Sequence, residues 1–241
     1  LMQDLDFPHE RTNVNGGSLL LGTTGALSSS TAVNIGASGT LDFQNNNQTL
    51  ASLAGSGAVS LGTASLTVGN SSNTTFSGVI GGTGSLTKTG TGTLTLSGIN
   101  TYSGGTTLAA GSLSVGNDNN LGTGGLLFNG GTLLTTAGIT STKTITLLGT
   151  GIFNSNGFNS TLSGVISGAG TFTKSGAGAL TLTGVNGYSG GTTLAGGTLS
   201  VSDDDNLGTG ALLFNGGTLL TTAGITSSKA VTLVGTGIFN S

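Results

Sequence analysis

The stretch Ser77–Ser155 recurs almost letter for letter, without a gap, as Ser163–Ser241. Lys88 returns as Lys174, Tyr102 as Tyr188, Phe128 as Phe214, Lys143 as Lys229 and Phe153 as Phe239, each 86 residues on. A repeat this long, held in register, points to a fold built by stacking. Stacked units bury their apolar faces against their neighbours, and the chain grows in one dimension. The 86-residue unit is read at 77–162, with the next copy starting at 163 and cut off at 241.

Composition narrows what is stacked. Glycine supplies 48 of 241 residues, and only five Lys or Arg and eight Asp or Glu are present. That balance would suit a disordered linker, but short Leu, Val and Ile runs recur throughout, and a disordered segment lacks such surface. The single proline, Pro8, lies outside the repeats. Its absence elsewhere suits continuous strand pairing, because proline cannot donate to a ladder. A net charge of −3 with no basic patch argues against nucleic acid. No run of eighteen apolar residues offers a membrane-spanning helix. The absence of cysteine excludes disulfides, zinc thiolates and thiol catalysis.

Residues 1–13 differ in texture. They hold Pro8, His9, Met2, Arg11, Asp4, Asp6 and Glu10 and read as an atypical N-terminal segment or cap. From residue 14 to 241 apolar alternation comes in short bursts, as in Thr40–Phe43, Ser65–Val68, Thr93–Leu96 and Ser112–Val115. Alternation over four or five residues marks a half-buried strand. Gly, Asn and Ser between the bursts are turn residues that tolerate positive φ. The unit divides into about four rungs of roughly 21 residues, the length a coiled rung needs. The expected fold is therefore all-β, a right-handed parallel β-helix of about eleven rungs and roughly 50 Å. Period 2 places Leu94, Leu96, Leu113 and Val115 inward, and Thr93, Thr95, Ser112 and Ser114 outward. Outward rows of Thr, Ser and Asn are expected to bond from rung to rung.

The words from Gly84 to Val115, GSLTKTGTGTLTLSGINTYSGGTTLAAGSLSV, and their second copy from Gly170 to Val201 resemble the autotransporter-associated β-strand repeat of Gram-negative passenger domains. The segment NNNQTLASLAGSG from Asn45 is similar to the stretch that precedes such repeats. The resemblance covers most of residues 14–241. It implies the β-helical stalk of a secreted passenger, extracellular or on the cell surface, with an outer-membrane translocator barrel in the full-length chain. No signal peptide and no barrel-like strand series stand out, so the chain reads as a fragment of a longer one. Its last rung is expected to expose core residues such as Leu233, Val234, Ile238 and Phe239.

Chemistry-bearing residues are few. Asp203, Asp204 and Asp205 form the acidic cluster of the repeats and the one calcium candidate, but the previous copy has Asn117-Asp118-Asn119 there. The nonapeptide calcium series is missing, so a solvated turn is the favoured reading. Single Lys88, Lys174, Lys143 and Lys229 suit soluble strand ends that deter edge pairing. Tyr102 and Tyr188 suit a structural turn rather than a sugar platform. Phe128, Phe214, Phe153 and Phe239 suit the core. The repeats contain no histidine, so no Ser-His-Asp set forms. Asp42, Asp118 and the 203–205 cluster show no carboxylate pair of the kind that glycoside cleavage uses.

The expectation is thus a structural stalk with no chemistry, metal or cofactor of its own. The rival readings are an adhesin-type module for a surface glycan or matrix ligand, and a polysaccharide-active β-helix enzyme. Ice binding by Thr91, Thr93 and Thr95 is disfavoured, because Ala replaces Thr at 177 and 179.

Overall fold

The computed structural model describes residues 11–241. Most of the segment expected as a cap lies outside the described residues. Arg11–Asn13 belong to a strand, Arg11–Leu20, paired in parallel with Ala32–Asp42.

The chain is a parallel β-solenoid of about 12 turns with almost no helix. The strands fall into sheets of fourteen, seven and six members. Between Gln48 and Gly168 each turn runs through a strand of the seven-stranded sheet, then one of the fourteen-stranded sheet, then a third leg. Among the described residues the last four strands of that leg's own sheet are Ala179–Leu182, Thr198–Val201, Thr218–Thr221 and Ile238–Asn240. Successive turns stack at about 4.8 Å, giving a rod on the order of 55 Å long.

The alternation works as expected at most positions. Leu94 stacks in turn on Leu113, Leu133 and Phe153, and all four are buried. Thr93, Thr95 and Ser112 are half-buried on the outer face. Ser114 departs from the expectation: it is 3% exposed. It is the small member of an outer row between Thr95 and Leu134, whose larger side chains shade it. Rung-to-rung bonds do form. Ser65 Oγ and Ser85 Oγ lie 3.0 Å apart, and Asn73 and Asn159 accept from the Thr93 and Ala179 amides at 2.8 Å.

The repeat is out of step with the coil. From Thr93, four ladder steps through Ser112, Thr132 and Ile152 reach Thr173. The strand equivalent to Thr93–Leu96 is Ala179–Leu182, one leg further on. The unit therefore spans four turns and one leg, where about four rungs were expected. Equivalent strands change sheet: Ser85–Lys88 lies in the seven-stranded sheet, and Phe172–Ser175 in the fourteen-stranded one. The second copy is the first rotated by a third of a turn and raised about 21 Å.

At the C-terminal end the inward positions Leu233 and Phe239 are 67% and 60% exposed. Phe239 is thus not core here, although Phe128, Phe153 and Phe214 are. The recess lined by Leu212, Phe214, Leu219 and Leu233 is the open interior of these last turns.

Candidate functional site

Three constructions recur in both copies, and among the described residues they include every charged residue except Arg11 and Asp42. The first surrounds the tyrosines. Tyr102 and Tyr188 are fully buried. Each hydroxyl lies 2.6 Å from a threonine hydroxyl, Thr106 or Thr192. That threonine donates in turn to the carbonyl of Leu121 or Leu207 at 3.0 Å. Burial pushes both phenols far above their ordinary range, and the threonine bond offsets this only in part. The ring fills a leg that has no strand, so the expected structural role is what the geometry supports. Neither ring is available to stack on a sugar.

The second construction holds the leg of the following turn. A four-residue 3-10 helix, Asp118–Leu121 or Asp204–Leu207, replaces a strand. Its cap is Asn117 or Asp203, whose side chain accepts from the amide of Asn119 or Asp205 at 2.9 Å. Asn120 and Asn206 close the capping box and donate to the Gly98 and Gly184 carbonyls at 2.8 and 3.0 Å. Asp118 and Asp204 then pair with Lys143 and Lys229 at 2.9 and 2.5 Å. Burial works to raise the Asp204 pKa, but hydrogen bonds from Lys229 and Ser227 and the Lys229 charge outweigh it and hold the carboxyl below its usual value. These two lysines, expected on a solvated surface, have side chains only 10% and 8% exposed. The long stem covers apolar surface while the ammonium is neutralised locally.

The calcium candidates are therefore dispersed in role. Asp203 caps, Asp204 is ion-paired, and Asp205 lends its amide to the cap. Among the described residues no group of three His, Cys, Asp or Glu side chains converges. Asp42 stands apart, accepting from the Gln44 amide and side chain at 3.0 and 2.8 Å.

The third construction was missed by reading lysine as a surface residue. Lys88 and Lys174 are 2% and 0% exposed and point inward. Lys88 takes the place of an aliphatic side chain in the column Val68, Lys88, Leu108, Phe128. Lys174 does so in the column Phe153, Lys174, Leu194, Phe214. The Lys88 ammonium donates to the carbonyls of Thr89, Gly90 at 3.1 Å and Ala110 at 3.5 Å. That of Lys174 donates to Ser175, Gly176 and Gly196 at 2.9, 2.8 and 3.1 Å. Burial lowers both pKa values, that of Lys174 to about 8. The missed signal was parity: in Ser85-Leu86-Thr87-Lys88 the lysine falls on the face of Leu86.

Apolar side chains left outside also recur. Val79 and Ile99 are 45% and 65% exposed, and their equivalents Val165 and Val185 are 49% and 69%. Because the unit turns by a third, the two pairs stand at different corners of the rod.

Residues 86–115 and 172–201 match the family model of the passenger-associated-transport-repeat. Each matched segment contains one buried lysine, its three carbonyl partners and the Tyr–Thr pair. Among curated proteins, an adhesin, the BmaC autotransporter of Brucella suis biovar 1 (strain 1330), is 38% identical over 104 residues. That alignment covers 40% of this chain and 3% of the relative, so the chain spans only a small part of the protein it resembles. No solved structure matches the chain. The chain thus carries two passenger-associated transport repeats, held in register on a parallel β-solenoid.

Proposed function

We propose that this chain is a length of passenger stalk. It acts as a rigid spacer on the outside of a Gram-negative cell, anchored at the outer membrane through a translocator barrel of the full-length protein, and it performs no catalysis of its own. The observation that carries this reading is the phase of the repeat. Equivalent surface residues turn by a third with each unit, so the units do not build one repeated binding face. What accumulates from unit to unit is length. Among the described residues, Asp118, Asp203, Asp204 and the four lysines are instead engaged in a cap, ion pairs and carbonyl contacts.

A second reading, adhesion, is supported by the exposed pairs Val79–Ile99 and Val165–Val185. Aliphatic pairs of this kind suit an apolar protein ligand of the matrix better than a glycan. The experiment is binding of the purified chain to immobilised matrix proteins and to glycan arrays. As a stalk it shows no saturable binding. Excising residues 153–173, one turn by the pairing of Ile152 with Thr173, then shortens the rod by about 4.8 Å and leaves it folded. Saturable binding to a matrix protein, abolished by Ile99→Ser with Val185→Ser, would replace the stalk reading with the adhesive one.

A further inference from the structure

The two inward lysines raise a problem of charge. Each ammonium sits inside the solenoid, and among the described residues the ion pairs formed are those of Lys143 and Lys229, not these. A buried charge without a counter-charge is strongly unfavourable unless dipoles take the place of its hydration shell. Here three backbone carbonyls do so, one for each N–H of the ammonium. Two come from the corner that follows the lysine's own strand, Thr89 and Gly90, and one from the corner of the next turn, Ala110.

The corners are shaped for this. Gly90 and Gly111 have φ of +64° and +61°, and a Cβ on Gly111 would lie 2.4 Å from the Gly90 carbonyl. Gly176 and Gly197 repeat this at +70° and +62°, and a Cβ on Gly197 would also come within 2.8 Å of the Lys174 ammonium. Glycine at these positions lets the backbone turn its carbonyls inward and approach closely. The arrangement is also independent of its place in the rod. It forms on the seven-stranded sheet around Lys88 and on the fourteen-stranded sheet around Lys174, so the unit's own sequence builds it.

We infer that Lys88 and Lys174 are tethered cations: each ammonium fills a three-carbonyl cation site that fastens the corner of one turn to the corner of the next. The site's chemistry is that of a carbonyl cage for a small ammonium or monovalent cation, and the chain supplies the occupant itself. The ammonium, rather than the aliphatic stem alone, is what the corner requires.

Chemical rescue separates these two contributions. Lys88→Ala with Lys174→Ala in the whole chain removes the equivalent of one propylammonium from each site. The variant is refolded alone, with propylammonium, and with propanol as the uncharged match. The expected result is a melting temperature several degrees below the parent chain, largely restored by propylammonium and not by propanol. Equal rescue by propanol would show that only the stem matters and would overturn the inference. So would a folded variant that neither compound rescues, or a Lys88→Met, Lys174→Met chain as stable as the parent. Should the double variant not fold, Lys174→Ala alone leaves the first unit intact. Amides 175–178 and 195–197 are then expected to exchange at least about tenfold faster, with protection recovered in propylammonium only. Unchanged exchange, or recovery in propanol, rejects the cage.

Discussion

Residues 86–115 and 172–201 are nearly the same sequence folded on different walls of the same rod. The first copy places its lysine strand in the seven-stranded sheet and its Tyr102 leg after the fourteen-stranded one. The second places the lysine strand in the fourteen-stranded sheet and its Tyr188 leg where the seven-stranded sheet has ended at Ile166–Gly168. Yet the same contacts recur in both, and those of the tyrosines and of the first asparagine keep the same length. Tyr–Thr is 2.6 Å in both, and Asn100 and Asn186 each donate to the asparagine of the next turn at 2.6 Å. The walls are therefore interchangeable. What a strand needs is the turn below and the turn above, not a particular side of the solenoid, as expected when stability is a sum of nearest-neighbour terms.

If that is right, paired substitutions should cost the same in both copies. The largest effect is expected from Leu96→Asp and Leu182→Asp. Both leucines are fully buried, Leu96 in the fourteen-stranded sheet and Leu182 in the six-stranded one. A carboxylate there has no partner, and each change should cost about 3–5 kcal/mol in chemical denaturation. A much milder Leu182→Asp would mean that the walls differ after all.

The ion pairs come next. Asp118→Asn and Asp204→Asn leave the Lys143 and Lys229 ammonium groups, 10% and 8% exposed, without a counter-charge. About 1–3 kcal/mol is expected from each. Acid sharpens the test. The Asp204 carboxyl is held below its ordinary value of 3.8 in the folded chain, so the folded state takes up its proton later than the unfolded one. Its contribution is present above about pH 4 and lost as the pH falls below that. Asp204→Asn should remove this part of the acid sensitivity. An unchanged acid limb in that variant would show that the pair does not couple to folding.

How much of this could be read beforehand depends on the range of the contact. Strand parity is local, so the inward set Leu94, Leu96, Leu113 and Val115 was legible. The structural role of the tyrosines was legible from their repetition. Lys88 shares the parity of Leu86, yet a lysine reads as a surface strand end until its acceptors are known, and the Ala110 carbonyl lies 22 residues away. The Asp118–Lys143 pair spans 25 residues and depends on how a 3-10 helix bulges from one turn toward the next. The third-of-a-turn offset depends on rung lengths that vary between 19 and 21 residues, as the partners Leu94–Leu113 and Phe153–Lys174 show. No single burst of alternation carries that sum.

A smaller effect is expected where the two copies hold their tyrosines. Tyr102→Phe and Tyr188→Phe keep the ring in place and remove one hydroxyl from a buried pair, at about 1 kcal/mol each. The threonine keeps its bond to Leu121 or Leu207, which limits the loss. The folded chain also holds both phenol protons above the ordinary tyrosine pKa of 10.0. As pH rises past 10 the unfolded chain releases these protons while the folded chain keeps them, so stability falls. The double Phe variant should lose less stability than the parent between pH 10 and 11.

The smallest effect, and the strictest test of equivalence, lies on the outer rows. Thr95 stacks between Thr75 and Ser114, and Thr181 between Thr161 and Ser200. Both are half-buried, and both hydroxyls survive replacement by serine. Only one methyl group is lost, from a position where it is partly in water. Thr95→Ser and Thr181→Ser should each cost under about 0.5 kcal/mol. Stability here resides in the inward columns, so an outer methyl on either wall has little to contribute. A loss above about 1 kcal/mol in one copy alone would show that its outer row packs against something the other lacks. A comparable loss in both would move part of the load from the core to the threonine ladders, and Leu96→Asp would then owe less of its effect to burial.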